Sequence, residues 1–107
     1  MAVTIEENTT NNETLEFTGL TSGNGQIVDI PNHCRVIGVY YTPTSAGTAS
    51  VKYAMFKTAP TDFTNMPKTA IGDVTATGGQ EITGAVRWVG LDPASGTWDF
   101  TVVLRAV

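Results

Sequence analysis

Residues 97–105 alternate strictly in polarity: Trp98, Phe100, Val102 and Leu104 fall on one side, Asp99, Thr101, Val103 and Arg105 on the other. A period of two places successive side chains on opposite faces of an extended strand, and a helix cannot satisfy it. The rest of the chain repeats the pattern in short runs separated by turn formers. Residues 3–7 and 13–18 flank the polar tip Asn8-Thr9-Thr10-Asn11-Asn12 and read as a hairpin, with Leu15 and Phe17 on one face. Residues 26–30 lie between Ser22-Gly23-Asn24-Gly25 and Pro31-Asn32, and residues 34–42 end at Pro43-Thr44-Ser45-Ala46-Gly47. Strands are also predicted over 48–57, over 73–77 as a short edge, and over 81–91, between Gly78-Gly79 and the turn that begins at Asp92-Pro93. No segment carries the i, i+3, i+4, i+7 apolar spacing of an amphipathic helix. Threonine supplies about one residue in six and reinforces the β reading. The expectation is an all-β chain. Residues 1–107 form a single antiparallel β-sandwich, jelly-roll-like, with a small barrel as the second choice.

Residues 34–42 are apolar on both faces, Val36, Gly38 and Tyr40 alternating with Ile37, Val39 and Tyr41. Such a strand is central, or a partner subunit covers it. In 48–57 the inward set is Ala49, Val51, Tyr53 and Met55, with Ser50, Lys52, Ala54 and Phe56 opposite; in 81–91 it is Ile82, Gly84, Val86 and Trp88. Trp88 and Trp98 each continue an apolar face and are assigned to the core.

Alternation stops over 58–72, a long loop that contains Pro60 and Pro67. Loops of this length without structure of their own are often functional. Phe63 and Met66 stand among Thr61, Asp62, Thr64 and Asn65 as apolar anchors on a polar segment. They make the loop a partner-contact arm, with Phe63, Met66, Pro60 and Pro67 as its contact residues. The alternative is a lid folded back onto its own sandwich.

A formal net charge of -4 argues against a nucleic-acid binder, which carries a basic stripe. No apolar run reaches the roughly 20 residues of a membrane-spanning helix, and residues 1–7 read as neither a basic nor an apolar leader region. Cys34 is the only thiol and His33 the only imidazole. As strand neighbours they point to opposite faces, and no spacing supplies the third group that a Cys-His nucleophile needs, although Asp29 could orient His33. Two such residues fall short of the four ligands of a structural zinc site, while three copies of His33 could meet on a three-fold axis. Asp92 with Asp99 and Glu6 with Glu7 read as solvated acids rather than a glycosidase pair. The two N-glycosylation patterns, at Asn8 and Asn12, read as coincidence in a Thr- and Asn-rich tip. The expectation is therefore no enzyme, no catalytic residue, no cofactor and no metal.

A short acidic chain, rich in Thr and Gly, with one Cys and a β pattern from end to end, resembles the small structural proteins of tailed bacteriophages, the head decoration or cement type. The resemblance implies a virion location after synthesis in the host cytoplasm, and a homo-oligomer, commonly a trimer. The partner would be a major capsid protein or another virion protein. From another functional class, a carbohydrate-binding or adhesin-type module would present Trp88 or Tyr41 on a solvent-facing platform.

Overall fold

A computed structural model describes residues 2–7, 12–31, 34–55, 57–66, 68–82 and 86–106, with the side chains of 2–7, 12, 68, 70 and 106 outside the description. The strands are β1 (Ala2–Glu7), β2 (Asn12–Leu20), β3 (Gln26–Asp29), β4 (Cys34–Ser45), β5 (Ala49–Ala54), β6 (Lys68–Val74), β7 (Gly78–Glu81), β8 (Trp88–Pro93) and β9 (Thr97–Ala106). They form two sheets, ordered β1-β2-β9-β4-β7 and β3-β8-β5-β6, and every described pairing is antiparallel. The chain is an all-β sandwich. Its pairings are nested: β5 with β6, β4 with β7, β3 with β8 and β2 with β9. A long double strand has in effect been folded over on itself, so that its two halves alternate between the layers.

The core lies between the sheets. Phe17 and Leu20 of β2, Val36 and Val39 of β4, and Trp98, Phe100, Val102 and Leu104 of β9 meet Val28, Val51, Ile71, Val89 and Leu91 of the facing sheet. The strict alternation of β9 is explained by its central place, with β2 on one side and β4 on the other. Trp98 is fully buried, stacks on Phe100 at 6.3 Å and places its indole N–H 3.0 Å from the carbonyl of Ser95.

Four expectations need correction. The run 81–91 is not one strand: β7 ends at Glu81 in one sheet and β8 begins at Trp88 in the other. Alternation continued through a crossover between layers, and sequence period alone does not register a change of sheet. Gly78-Gly79, expected as a turn, is in β7, where it faces the rings of Tyr41 and Tyr40 in direct register. The edge strand expected at 73–77 lies earlier, at Lys68–Val74, so the non-periodic stretch closes at residue 67. Met55, expected inward, is 57% exposed, because β5 stops at Ala54. The two apolar faces of β4 have a partial explanation in a register shift between Val36 and Gly38, which turns Val36 and Val39 to the same core.

Candidate functional site

The contact residues expected in the loop belong to a second apolar cluster, on the outer face of the β3-β8-β5-β6 sheet. Side chains at alternate positions of a strand face away from the main core, and on β8 and β5 these are Trp88, Gly90, Lys52 and Ala54. The segment between β5 and β6 crosses over them. Asp62 caps the 3₁₀ turn Phe63–Asn65, accepting hydrogen bonds from the Thr64 hydroxyl at 2.7 Å and the Asn65 backbone N–H at 3.1 Å. That turn aims Phe63 and Met66 at the sheet. Met66 is 4% exposed and packs with Ala54 and Trp88, while Phe63 and Ile27 are half-buried against them. Gly25 and Gly90 form the seat: a Cβ on Gly90 would lie 2.6 Å from Met66 Sδ, and one on Gly25 would lie 2.8 Å from Phe63 Cζ. Two cations frame the cluster. Lys52 Nζ is 5.8 Å from the Phe63 ring centre and 2.6 Å from Asp92. Arg87 lies 4.8 Å from the Trp88 ring centre and donates to Asp29 at 2.7 Å.

Phe63 and Met66 are thus applied to the chain's own sheet, as the lid alternative has it. The physical reason is the apolar surplus of the sheet: Trp88 and Ala54 face outward from the main core, and the loop supplies the nearest apolar cover. Pro60 is half-buried and lines a groove with Lys57, Thr58, Ala59, Thr61 and Asn65, and Pro67 lies outside the described residues. Trp88 is buried as expected, but beneath this loop rather than between the sheets.

A further groove lies on the other sheet. Ile37, Gly38 and Tyr40 of β4, Val103 of β9, and Gly79, Gln80 and Glu81 of β7 line a groove on its outer face. Tyr40 is 60% exposed. Its ring lies against Gly79 on the neighbouring strand, where a Cβ would come within 2.2 Å of Tyr40 Cδ1. Tyr41 turns inward toward Trp98, with ring centres 6.3 Å apart. Among the described residues β7 ends its sheet, so one side of the groove is a strand edge. Two-faced polarity over 34–42 was the sequence signal for this surface. Gly79, Gln80 and Glu81 were missed because the two glycines read as a turn.

The remaining candidates are dispersed. Cys34 is buried in the main core, and His33 lies outside the described residues. Asp29, which could have oriented His33, receives Arg87 instead. Asp92 pairs with Lys52, and Asp99 accepts the backbone N–H of Gly19 at 2.9 Å. Asn8 and the side chains of Glu6, Glu7 and Asn12 lie outside the description. Among the described residues, no three His, Cys, Asp or Glu side chains gather as a metal site, and no helix is long and apolar enough to cross a membrane. No family model, curated protein or solved structure matches the chain.

Proposed function

We propose that this chain is a non-enzymatic virion structural protein of the capsid-decoration type, which binds a shell through the outer face of its five-stranded sheet. The observation that carries the reading is the exposed Tyr40 ring, with half-buried Ile37 and Val103 beside it, next to the strand that ends the sheet. On the other sheet the chain covers the outward Trp88 and Ala54 with its own loop, whereas Tyr40 stays exposed beside apolar neighbours that a partner would bury with it. The nested strand order supports the same reading. We take it as the double-sheet jelly roll, an architecture used by viral capsid and lectin domains. Fold does not decide function, so the reading stands on the exposed Tyr40 and its neighbours. A decoration protein needs only stability and a complementary patch, and a few aromatic or aliphatic anchors dominate such an affinity. The test is co-sedimentation with shells that lack the protein. Tyr40→Ser combined with Ile37→Thr should leave melting nearly unchanged and lower shell occupancy at least tenfold, on the order of two anchors lost. Unchanged occupancy would sink the reading.

One observation favours a second reading, a carbohydrate-binding module. Tyr40 presents an exposed ring in a groove that Glu81, a carboxylate, also lines. It takes the platform role expected for Trp88 or Tyr41, both of which are turned to packing. Glycan binding lost in Tyr40→Ser, with shells ignored, would favour this reading over the first.

A further inference from the structure

We propose that two copies of the chain join edge to edge through β7, in an antiparallel pairing with its two-fold axis at Gln80, so that two five-stranded sheets become one sheet of ten. The inference goes beyond the capsid reading and stands without it.

The pairing of β7 with β4 decides which of its backbone groups face outward. β7 pairs with β4 in the register Gly38↔Glu81, Val39↔Gln80, Tyr40↔Gly79 and Tyr41↔Gly78. The N–H of Ile82 donates to the carbonyl of Ile37 at 3.2 Å, which makes that pair hydrogen-bonded. Hydrogen-bonded and non-hydrogen-bonded pairs alternate along an antiparallel ladder. Gln80 and Gly78 therefore direct their backbone groups at β4, and Gly79 and Glu81 direct theirs away from the sheet. The outward residues are two apart. A two-fold axis at Gln80 sets Gly79 opposite Glu81 of the second copy and Glu81 opposite its Gly79. Each of these two pairs exchanges two hydrogen bonds. Residues directly opposite share a face of the sheet, and Gly79 and Glu81 both line the outer groove, so the axis keeps outer face with outer face.

Three features select this edge and this occupant. The register of β7 against β4 is unbroken, and the strand Gly-Gly-Gln-Glu contains no Lys, no Pro and no bulge, the usual protections of an open edge. β6, the corresponding edge strand of the other sheet, begins at Lys68 and meets β5 through two register shifts. β3 carries the Asp29–Arg87 ion pair, and β1 carries Glu6 and Glu7. The edge is also self-complementary. In the proposed register each glutamate faces a glycine, so the carboxylates do not oppose each other, and Gln80 stands opposite Gln80 of the second copy at the axis. Finally, the apolar groove runs up to the joint. Tyr40 lies over Gly79, beside the position taken by Glu81 of the second copy, so the two Ile37–Tyr40–Val103 strips become one continuous surface.

The purified chain alone is the test, so the result does not depend on any shell. Sedimentation should give twice the chain mass, dissociating on dilution. Glu81→Pro removes one outward donor per copy and no bond to β4, and it should raise the dissociation constant at least about tenfold with melting of the dilute protein unchanged. Gln80→Lys and Gln80→Glu place like charges opposite each other at the axis, so each should weaken self-association, and a mixture of the two should restore it as a mixed pair. This recovery separates a failed interface from a failed fold. A wild-type mass of one or three copies, or a Lys–Glu mixture that associates no better than either variant alone, would overturn the pairing.

Discussion

A methyl group on Gly90 would sit 2.6 Å from the sulfur of Met66 and 2.9 Å from Cδ1 of Phe63. The atoms met belong to the loop rather than to the sheet, so the loop has to yield. Gly90→Ala should therefore cost about 1–3 kcal/mol in urea denaturation, the usual range for overpacking, and increase proteolytic nicking within residues 57–66. Trp98→Ala acts between the sheets, where the side chain is fully buried. It should cost about 3–5 kcal/mol without selective nicking of the loop. Comparing nicking at matched stability separates the two clusters. A Gly90→Ala protein that loses stability with no change in loop cleavage would contradict the seat assigned to Phe63 and Met66.

At the scale of the element, the segment between β5 and β6 is held by its cap at one level and by Met66 at the next. Met66→Ser should lower stability by about 2–5 kcal/mol, as a large-to-small change in a buried site does. Solvation of the new hydroxyl sets where in that range it falls. An exposed arm would have shown almost no change. The cap gives an acid signature. The hydrogen bond from the Thr64 hydroxyl is the main influence that holds the Asp62 carboxyl below its ordinary value of 3.8; desolvation opposes it, and the Asn65 backbone and side-chain N–H groups and the Thr64 backbone N–H add to the lowering. A carboxyl that titrates lower when folded stabilises its turn while ionised. That contribution is complete above the unfolded value and is lost as pH falls through the lower folded one. Followed by NMR through an acid titration, the Asn65 amide resonance should move with a midpoint below 3.8. The movement should be absent in Asp62→Ala.

For the whole molecule the nested order makes the two ends unequal. β1 is an edge strand that pairs only with β2, whereas β9 lies between β2 and β4 at the centre of its sheet and supplies Trp98, Phe100, Val102 and Leu104 to the core. Removal of residues 1–7 should leave a cooperative fold with a lower urea midpoint. Removal of residues 97–107 should abolish the native far-UV spectrum. Equal tolerance of both deletions would contradict the central place of β9. Because β2 must find β9 and β3 must find β8 across most of the chain, folding is expected in the millisecond-to-second range of non-local β topologies.

The sequence by itself determined the class and most of the strands. Alternation and turn chemistry are local properties, and Trp98, Phe100, Val102 and Leu104 could be assigned to one buried face from spacing alone. The two apolar faces of β4 also announced the groove beside Tyr40. What sequence spacing does not contain is the partner across a sheet. The run that became β7 and β8 alternates without interruption although the chain changes layers, and Gly78-Gly79 reads as a turn until Tyr40 and Tyr41 lie beside it. The same limit governed the candidate site. Phe63 and Met66 are apolar residues on a polar loop in either case. Only the tertiary structure places Trp88, Ala54 and the two seat glycines beneath them and leaves Tyr40 bare on the opposite side, because burial is decided by what meets a surface across space.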